Sequence, residues 1–182
     1  MSRLQYQGAL IVVKNIILTG FMGTGKSSVG KEISIIRNMG FIDTDDEIQK
    51  QYGPINDIFE RHGEQYFREC ENEVVLNLAQ FSGIVIATGG GLVLNPKNVE
   101  ALQKSGIFFC LTAPPDEIFK RLTAKEETKI RPLLNTPDPL TTITEMLKSR
   151  RNIYDTFIQI DTVEKTPEDI AKEIDHFVRE IL

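Results

Sequence analysis

Apolar and polar positions fall in blocks along this chain. Short runs that are apolar at nearly every position, 15–19 (NIILT), 84–87 (IVIA) and 107–111 (IFFCL), alternate with longer amphipathic stretches. A short run without polar alternation is the signature of a strand buried on both faces. Two weaker runs, 41–42 and 157–161 (FIQID), predict two more strands. Helices are predicted between them. One begins inside a glycine loop near Lys26, one covers about 45–52, and a short one in "PINDIFERHG" is closed by Gly63. The stretch 64–80 sets Phe67, Val74, Val75 and Leu78 at helical spacing and predicts the longest helix of the first half. "NPKNVEALQKSG" has an Asn cap, a first-turn Pro and a closing Gly. A helix over about 140–154 follows, and a last one starts at "TPED", where Thr166 caps, Pro167 takes the first turn and Asp169 stands three residues on. Strands alternating with helices predict an α/β domain with a parallel sheet covered on both faces. The charged, Pro-containing stretch 121–138 has few apolar anchors and reads as a flap that moves.

Composition narrows the function classes. A chain of 182 residues, 41% hydrophobic, suits one domain with a real core and no need of disulfides. A net charge of -5 argues against a nucleic-acid partner, since a backbone-phosphate binder is normally basic. The apolar segment around 8–20 is interrupted by Lys14 and Asn15 and is too short to span a bilayer. The start "MSRLQYQG" lacks the order of features of a signal peptide, so a cytoplasmic protein without a membrane partner is expected. Cys70 and Cys110 form no CxxC pair and read as buried reduced thiols.

The chemistry begins at "GFMGTGKS". Gly20, Gly25, Lys26 and Ser27 occupy the fixed places of G-x-x-x-x-G-K-[ST], a match expected by chance on the order of once in 10⁴ starts. Glycines let successive N–H groups turn inward around phosphates, and the following helix aims its positive end at them. Gly23, Thr24, Gly25, Lys26, Ser27 and Ser28 are therefore candidates for binding a nucleoside triphosphate, which the resemblance below makes ATP, with Lys26 on the β- and γ-phosphates and Ser27 on Mg²⁺. No guanine-reading Asn-Lys-x-Asp and no apolar run ending in Asp-Glu is present, which favours a small-molecule kinase over a GTPase or a mechanical ATPase.

On the acceptor side, "FIDTDDEI" places Asp43 and Asp45 at a strand end. Two carboxylates there suit a metal and a substrate hydroxyl, or equally the capping of a helix. Arg68 has Glu71 one turn on, which also suits a surface ion pair. "ATGGG" sets Gly89, Gly90 and Gly91 at the end of another strand, where backbone can approach a ligand closely.

The order GFMGTGKSS, DTD, GEQYFR, TGGG, RPLL, then R…Y, from about Asn15 to Ile160, resembles the shikimate kinase family of the nucleoside-monophosphate-kinase-like P-loop fold. The resemblance implies a five-stranded parallel sheet in order 2-3-1-4-5 within one domain, a substrate-binding region over about 43–80 and a lid over about 122–138. It implies transfer of the γ-phosphate of ATP to the 3-hydroxyl of shikimate, on the way to chorismate and the aromatic amino acids. Asp45 would then hold the acceptor hydroxyl and serve as base. Asp43 would order Mg²⁺ beside Ser27, and Arg68 and Arg150 would grip the substrate carboxylate with the backbone of Gly89, Gly90 and Gly91 nearby. Arg131 would arrive with the lid, Arg121 would stack on adenine, and Phe59 and Phe67 would wall the substrate ring. The family's closing signature carries Pro where this chain has Asn152, "RRNIY", which leaves Arg151 as an alternative to Arg150. A monomer acting on small molecules is expected. Its rivals are a related kinase for gluconate or a nucleotide, and a P-loop module that binds nucleotide without turnover.

Overall fold

The computed structural model describes residues 14–124 and 136–181. Five strands, β1 (Asn15–Gly20), β2 (Gly40–Asp43), β3 (Ile84–Ala87), β4 (Gly106–Thr112) and β5 (Ile158–Asp161), pair in parallel in the order β2-β3-β1-β4-β5. This is the predicted sheet, with strand bounds shifted by a residue or two.

Helices cover both faces. On one face α1 (Lys26–Arg37) and α7 (Pro167–Ile181) bury Val29, Ile33, Ile170 and Ile174 against Ile16, Leu18 and Phe109 of the sheet. On the other, α3 (Ile55–Leu78) and α6 (Pro139–Tyr154) bury Val74, Val75, Ile143 and Tyr154 in the cluster that holds Ile17, Ile86 and Phe108. Each such side chain contributes about 1.5–3 kcal/mol by leaving water. The alternation explains why the strands read as unbroken apolar runs. Successive side chains of β1 enter opposite clusters, so Ile16, Ile17 and Leu18 are apolar in unbroken sequence.

The remaining helices are α2 (Thr44–Tyr52), α4 (Pro96–Ser105) and α5 (Pro115–Ala124), with a 3₁₀ turn at Leu92–Leu94. The two predicted helices on either side of Gly63 run on as the single element α3, but Gly63 has φ 81 and ψ 176 and kinks it there. The expected caps form: Asn95 Oδ1 accepts from the Lys97 N–H at 3.1 Å, and Thr166 and Asp169 bond reciprocally at the start of α7.

Two features correct the sequence reading. Helix α5, with Ile118 and Leu122 buried one turn apart, and the 3₁₀ turn were not predicted. Arg121 therefore belongs to a packed helix and not to a flap. The expected lid falls largely on residues 125–135, and those, with Arg131 among them, lie outside the described residues.

Strand order reverses at β1, whose neighbours β3 and β4 lead to opposite edges. A crevice opens beyond the carboxyl ends of strands at such a point, and ligands bind there. The glycine loop, the Asp43–Asp45 corner and the 89–91 glycine turn all follow the carboxyl ends of adjacent strands.

Candidate active site

The loop after β1 leaves its backbone free for an anion. Gly20, Gly23 and Gly25 have φ of 130, 79 and 94, and at Gly20 a Cβ would overlap the carbonyl oxygen of Leu111. Only glycine fits this turn. The N-cap of α1 is Gly25, no side chain caps it, and the first turn holds no acidic residue. Its first amides and its dipole thus remain for a ligand phosphate. Thr24 turns inward and donates from Oγ1 to the Phe21 carbonyl at 2.8 Å, while Ser27 and Ser28 are exposed on the first turn of α1.

Lys26 folds back over the loop, its Nζ donating to the carbonyls of Gly20 and Phe21, each at 2.9 Å. Burial lowers its pKa to about 8, against the pull of Asp45 and Asp43. Ser27 Oγ donates to Asp43 Oδ2 at 2.5 Å, and Asp43 Oδ1 accepts from the Asp45 N–H at 3.0 Å. Asp43 is therefore a helix cap and, on its other oxygen, a neighbour of the loop serine. A hydroxyl and a carboxylate in contact beside a phosphate cradle are hard oxygen donors of the kind Mg²⁺ takes.

Asp45 stands one step further along the corner. Its carboxyl lies against the glycine turn after β3, where a Cβ on Gly89 would overlap Asp45 Oδ1. Burial first, and Asp43 second, raise its pKa to about 6, with Lys26 opposing. Between about pH 6 and pH 8 Asp45 is thus mainly ionised and Lys26 mainly charged.

The same turn collects both arginines. Arg150 Nη1 donates to the Gly90 carbonyl at 2.9 Å, with its guanidinium over the Phe21 ring at 5.3 Å. Tyr154 OH donates to the same carbonyl at 3.2 Å. Arg151, one residue on, points away and pairs at 3.4 Å with exposed Asp155. A Cβ on Gly91 would stand 3.0 Å from both terminal nitrogens of Arg68. Arg68 is held by Glu71, both of whose oxygens accept from Nη1 at 3.1 Å, and by Glu64 at 3.2 Å. Glu71 is 1% exposed, and burial raises its pKa against the opposing pull of Arg68. The Arg68–Glu71 pair is thus a supported arm and not a loose surface contact.

Other expected residues lie further out. Phe67 is buried, with Phe59 at 4.7 Å between ring centroids and the Arg68 guanidinium 5.2 Å from its own. Arg121 reaches across to the end of β5, giving its Nη1 and Nη2 to Thr162 at 2.9 and 2.8 Å and its Nε to Glu117 at 2.8 Å. Sequence reasoning gave no role to Thr44 or Tyr154. The signal for Tyr154 was present, since it follows Arg150 by four residues and shares its helix face.

A family model described as "Shikimate kinase" matches residues 22–179. The shikimate kinase of Caldanaerobacter subterraneus subsp. tengcongensis is 44% identical over 164 residues, 89% of this chain and 94% of that protein. That of Geobacter sulfurreducens is 45% identical over 172 residues, 92% of each. Among solved structures, the shikimate kinase from Acinetobacter baumannii in complex with shikimate superposes with a TM-score of 0.85 at 32% identity, covering 93% of this chain and 94% of that one. A gluconokinase from Sinorhizobium meliloti, at 18% identity and a TM-score of 0.62, shares the fold.

Proposed function

The chain belongs to the shikimate kinase family, and we propose that the residues gathered on the 89–91 glycine turn and the phosphate loop carry out that family's reaction. It is an ATP-dependent small-molecule kinase that moves the γ-phosphate of ATP to the 3-hydroxyl of shikimate, a step toward chorismate. The observation that supports this assignment of residues is their convergence on one turn: Asp45 against Gly89, Arg150 on the Gly90 carbonyl, Arg68 beside Gly91.

In this reading the substrate carboxylate lies between Arg68 and Arg150, whose guanidinium forks match it bidentately. Gly89, Gly90 and Gly91 keep the floor low enough for the ring to approach. Asp45 orients the acceptor hydroxyl and takes its proton, within the substrate-binding region 43–80. The phosphates settle on the amides from Gly23 to Ser28. Lys26 exchanges its two loop carbonyls for phosphate oxygens. Ser27 and Asp43 would hold Mg²⁺, which supplies charge for the departing phosphate when bound. Among the described residues no group of three or more His, Cys, Asp or Glu could hold a metal alone, which suits an ion that keeps phosphate and water oxygens. The edge of Arg121 is already taken by Thr162 and Glu117, so adenine would meet its flat face. Arg131, on the lid expected between α5 and α6, would meet the charge developing on the transferring phosphate.

Among the described residues no helix is long and apolar enough to cross a membrane, and Cys70 and Cys110 are buried free thiols. A cytoplasmic monomer without nucleic-acid partners belongs to the same reading.

The test is ADP release from ATP·Mg²⁺ with shikimate beside gluconate, quinate and nucleoside monophosphates. Turnover on shikimate alone is expected, and turnover on another acceptor overturns the assignment of the two arginines. In the same assay Arg150→Ala is expected to raise the shikimate KM roughly 10–100-fold, the worth of a charged hydrogen bond, while Arg151→Ala leaves it unchanged. A KM unchanged by Arg150→Ala would remove Arg150 from the site. Arg131→Ala should lower kcat by about 10²-fold with little change in shikimate binding; loss of binding alone counts against its lid role.

A further inference from the structure

We propose that Thr44 is a positioning residue for the transfer, its hydroxyl fixing the distance between Asp45 and the glycine turn that carries the substrate contacts. The inference rests on Asp45 being the base and adds a residue that does not itself touch substrate.

The main-chain ladder between β2 and β3 ends where Asp43 pairs with Ala87. At the next step the chain turns into α2, so the carbonyl that a continuing strand would offer is no longer there. The Gly89 N–H is nevertheless satisfied, because it donates to Thr44 Oγ1 at 2.8 Å in a buried setting. Thr44 is 0% exposed. A side chain has taken over the last rung of the ladder at the point where the two active corners diverge.

What hangs on that rung is the reacting geometry. On one side Thr44 stands between Asp43, which bonds Ser27 and caps α2, and Asp45. On the other, Gly89 is followed directly by Gly90, whose carbonyl holds Arg150. Asp45 packs so closely on Gly89 that no side chain fits between them. A loss of the rung would let the corner and the turn drift apart, with the base moving on one and a carboxylate anchor on the other. A displacement of about 1 Å from such a position is enough to cost on the order of 10²-fold in rate. The hydroxyl of Thr44 bonds Gly89 and not the α1 amides or Lys26, and Asp43 stays tied to Ser27 by its own carboxylate, so nucleotide binding should not follow the hydroxyl.

Thr44→Val keeps shape and β-branching but has no acceptor; Thr44→Ser keeps the oxygen. Steady-state kinetics on both, with amide hydrogen exchange at Gly89 and with Asp45→Asn as control, decide the matter. Thr44→Val is expected to lower kcat about 10–100-fold at an unchanged ATP KM and to speed exchange at Gly89, with Thr44→Ser restoring most of the rate and the protection. A Thr44→Val enzyme as fast as wild type, or a Thr44→Ser enzyme as slow as Thr44→Val, overturns the proposal. If valine prevents folding, Thr44→Ala against Thr44→Ser gives the same contrast. The control separates the two claims: an active Asp45→Asn enzyme sinks the base assignment itself, whereas an inactive one beside a fully active Thr44→Val sinks only the rung.

Discussion

Asp45→Asn is expected to lower kcat by about 10³–10⁴-fold, the upper part of the range for a positioned acid or base, while shikimate and ATP still bind. The amide can hold a hydroxyl but cannot accept its proton, and Arg68, Arg150 and the loop are untouched by the change. The stability of the variant should move the other way. A carboxyl whose pKa is raised in the folded state, here from 3.8 to about 6, contributes stability that is fully present below pH 4. That contribution is lost as pH rises through 6. Asparagine removes the loss. Thermal melts of the two proteins should therefore agree near pH 4 in this contribution, and the variant should gain on the wild type between pH 4 and pH 7. Lower stability of the variant throughout would mean that the Asp45 charge is well solvated and that burial is not what raises its pKa. In the wild type, kcat/KM for shikimate should fall on the acid side of about pH 6.

Lys26→Met is the second large effect, with kcat expected to fall by about 10³-fold. Methionine keeps the length of the stem and removes the charge that follows the γ-phosphate through the transition state. The same change should remove much of the thermal stabilisation that ATP confers, because a bound ligand at free concentration L stabilises by RT ln(1 + L/Kd) and a weaker Kd shrinks that term. Without ATP the outcome is a balance. The variant loses two 2.9 Å hydrogen bonds to the Gly20 and Phe21 carbonyls, but it no longer buries a cation whose pKa burial has brought down to about 8. A small net change in melting temperature is expected. A Lys26→Met protein that keeps both its ATP-induced stabilisation and its turnover would refute the role of the loop.

The parts of this site that depend on backbone were open to sequence reasoning. Gly20 must be glycine because of the Leu111 carbonyl, and spacing alone marks it. The strands showed themselves because both faces of the sheet are covered. Helix α5 did not, since its buried face is little more than Ile118 and Leu122 and its polar residues merge with the charged stretch beyond. Residues that work through packing were the hardest to see. Arg150 and Arg151 are adjacent in the chain, yet about 100° apart around a helix, and only the turn they pack against tells them apart. Thr44 carries no chemical signal at all between its two aspartates; its part depends on a partner in the glycine turn, 45 residues further on.

That separation along the chain has a consequence for how the protein is made. Asn15, at the start of β1, bonds through its side chain to Ile84, 69 residues away, and to Ser105, 90 residues away. The central strand is thus synthesised first and must wait for both of its neighbours. A ribosome adding about 5–20 residues per second leaves β1 without either neighbour for several seconds. Pairings this distant also close slowly once the chain is complete. The segment that will hold ATP therefore spends its first moments as an apolar strand with two open edges. Conditions that slow elongation or crowd nascent chains should lower the yield of this protein before they affect its activity.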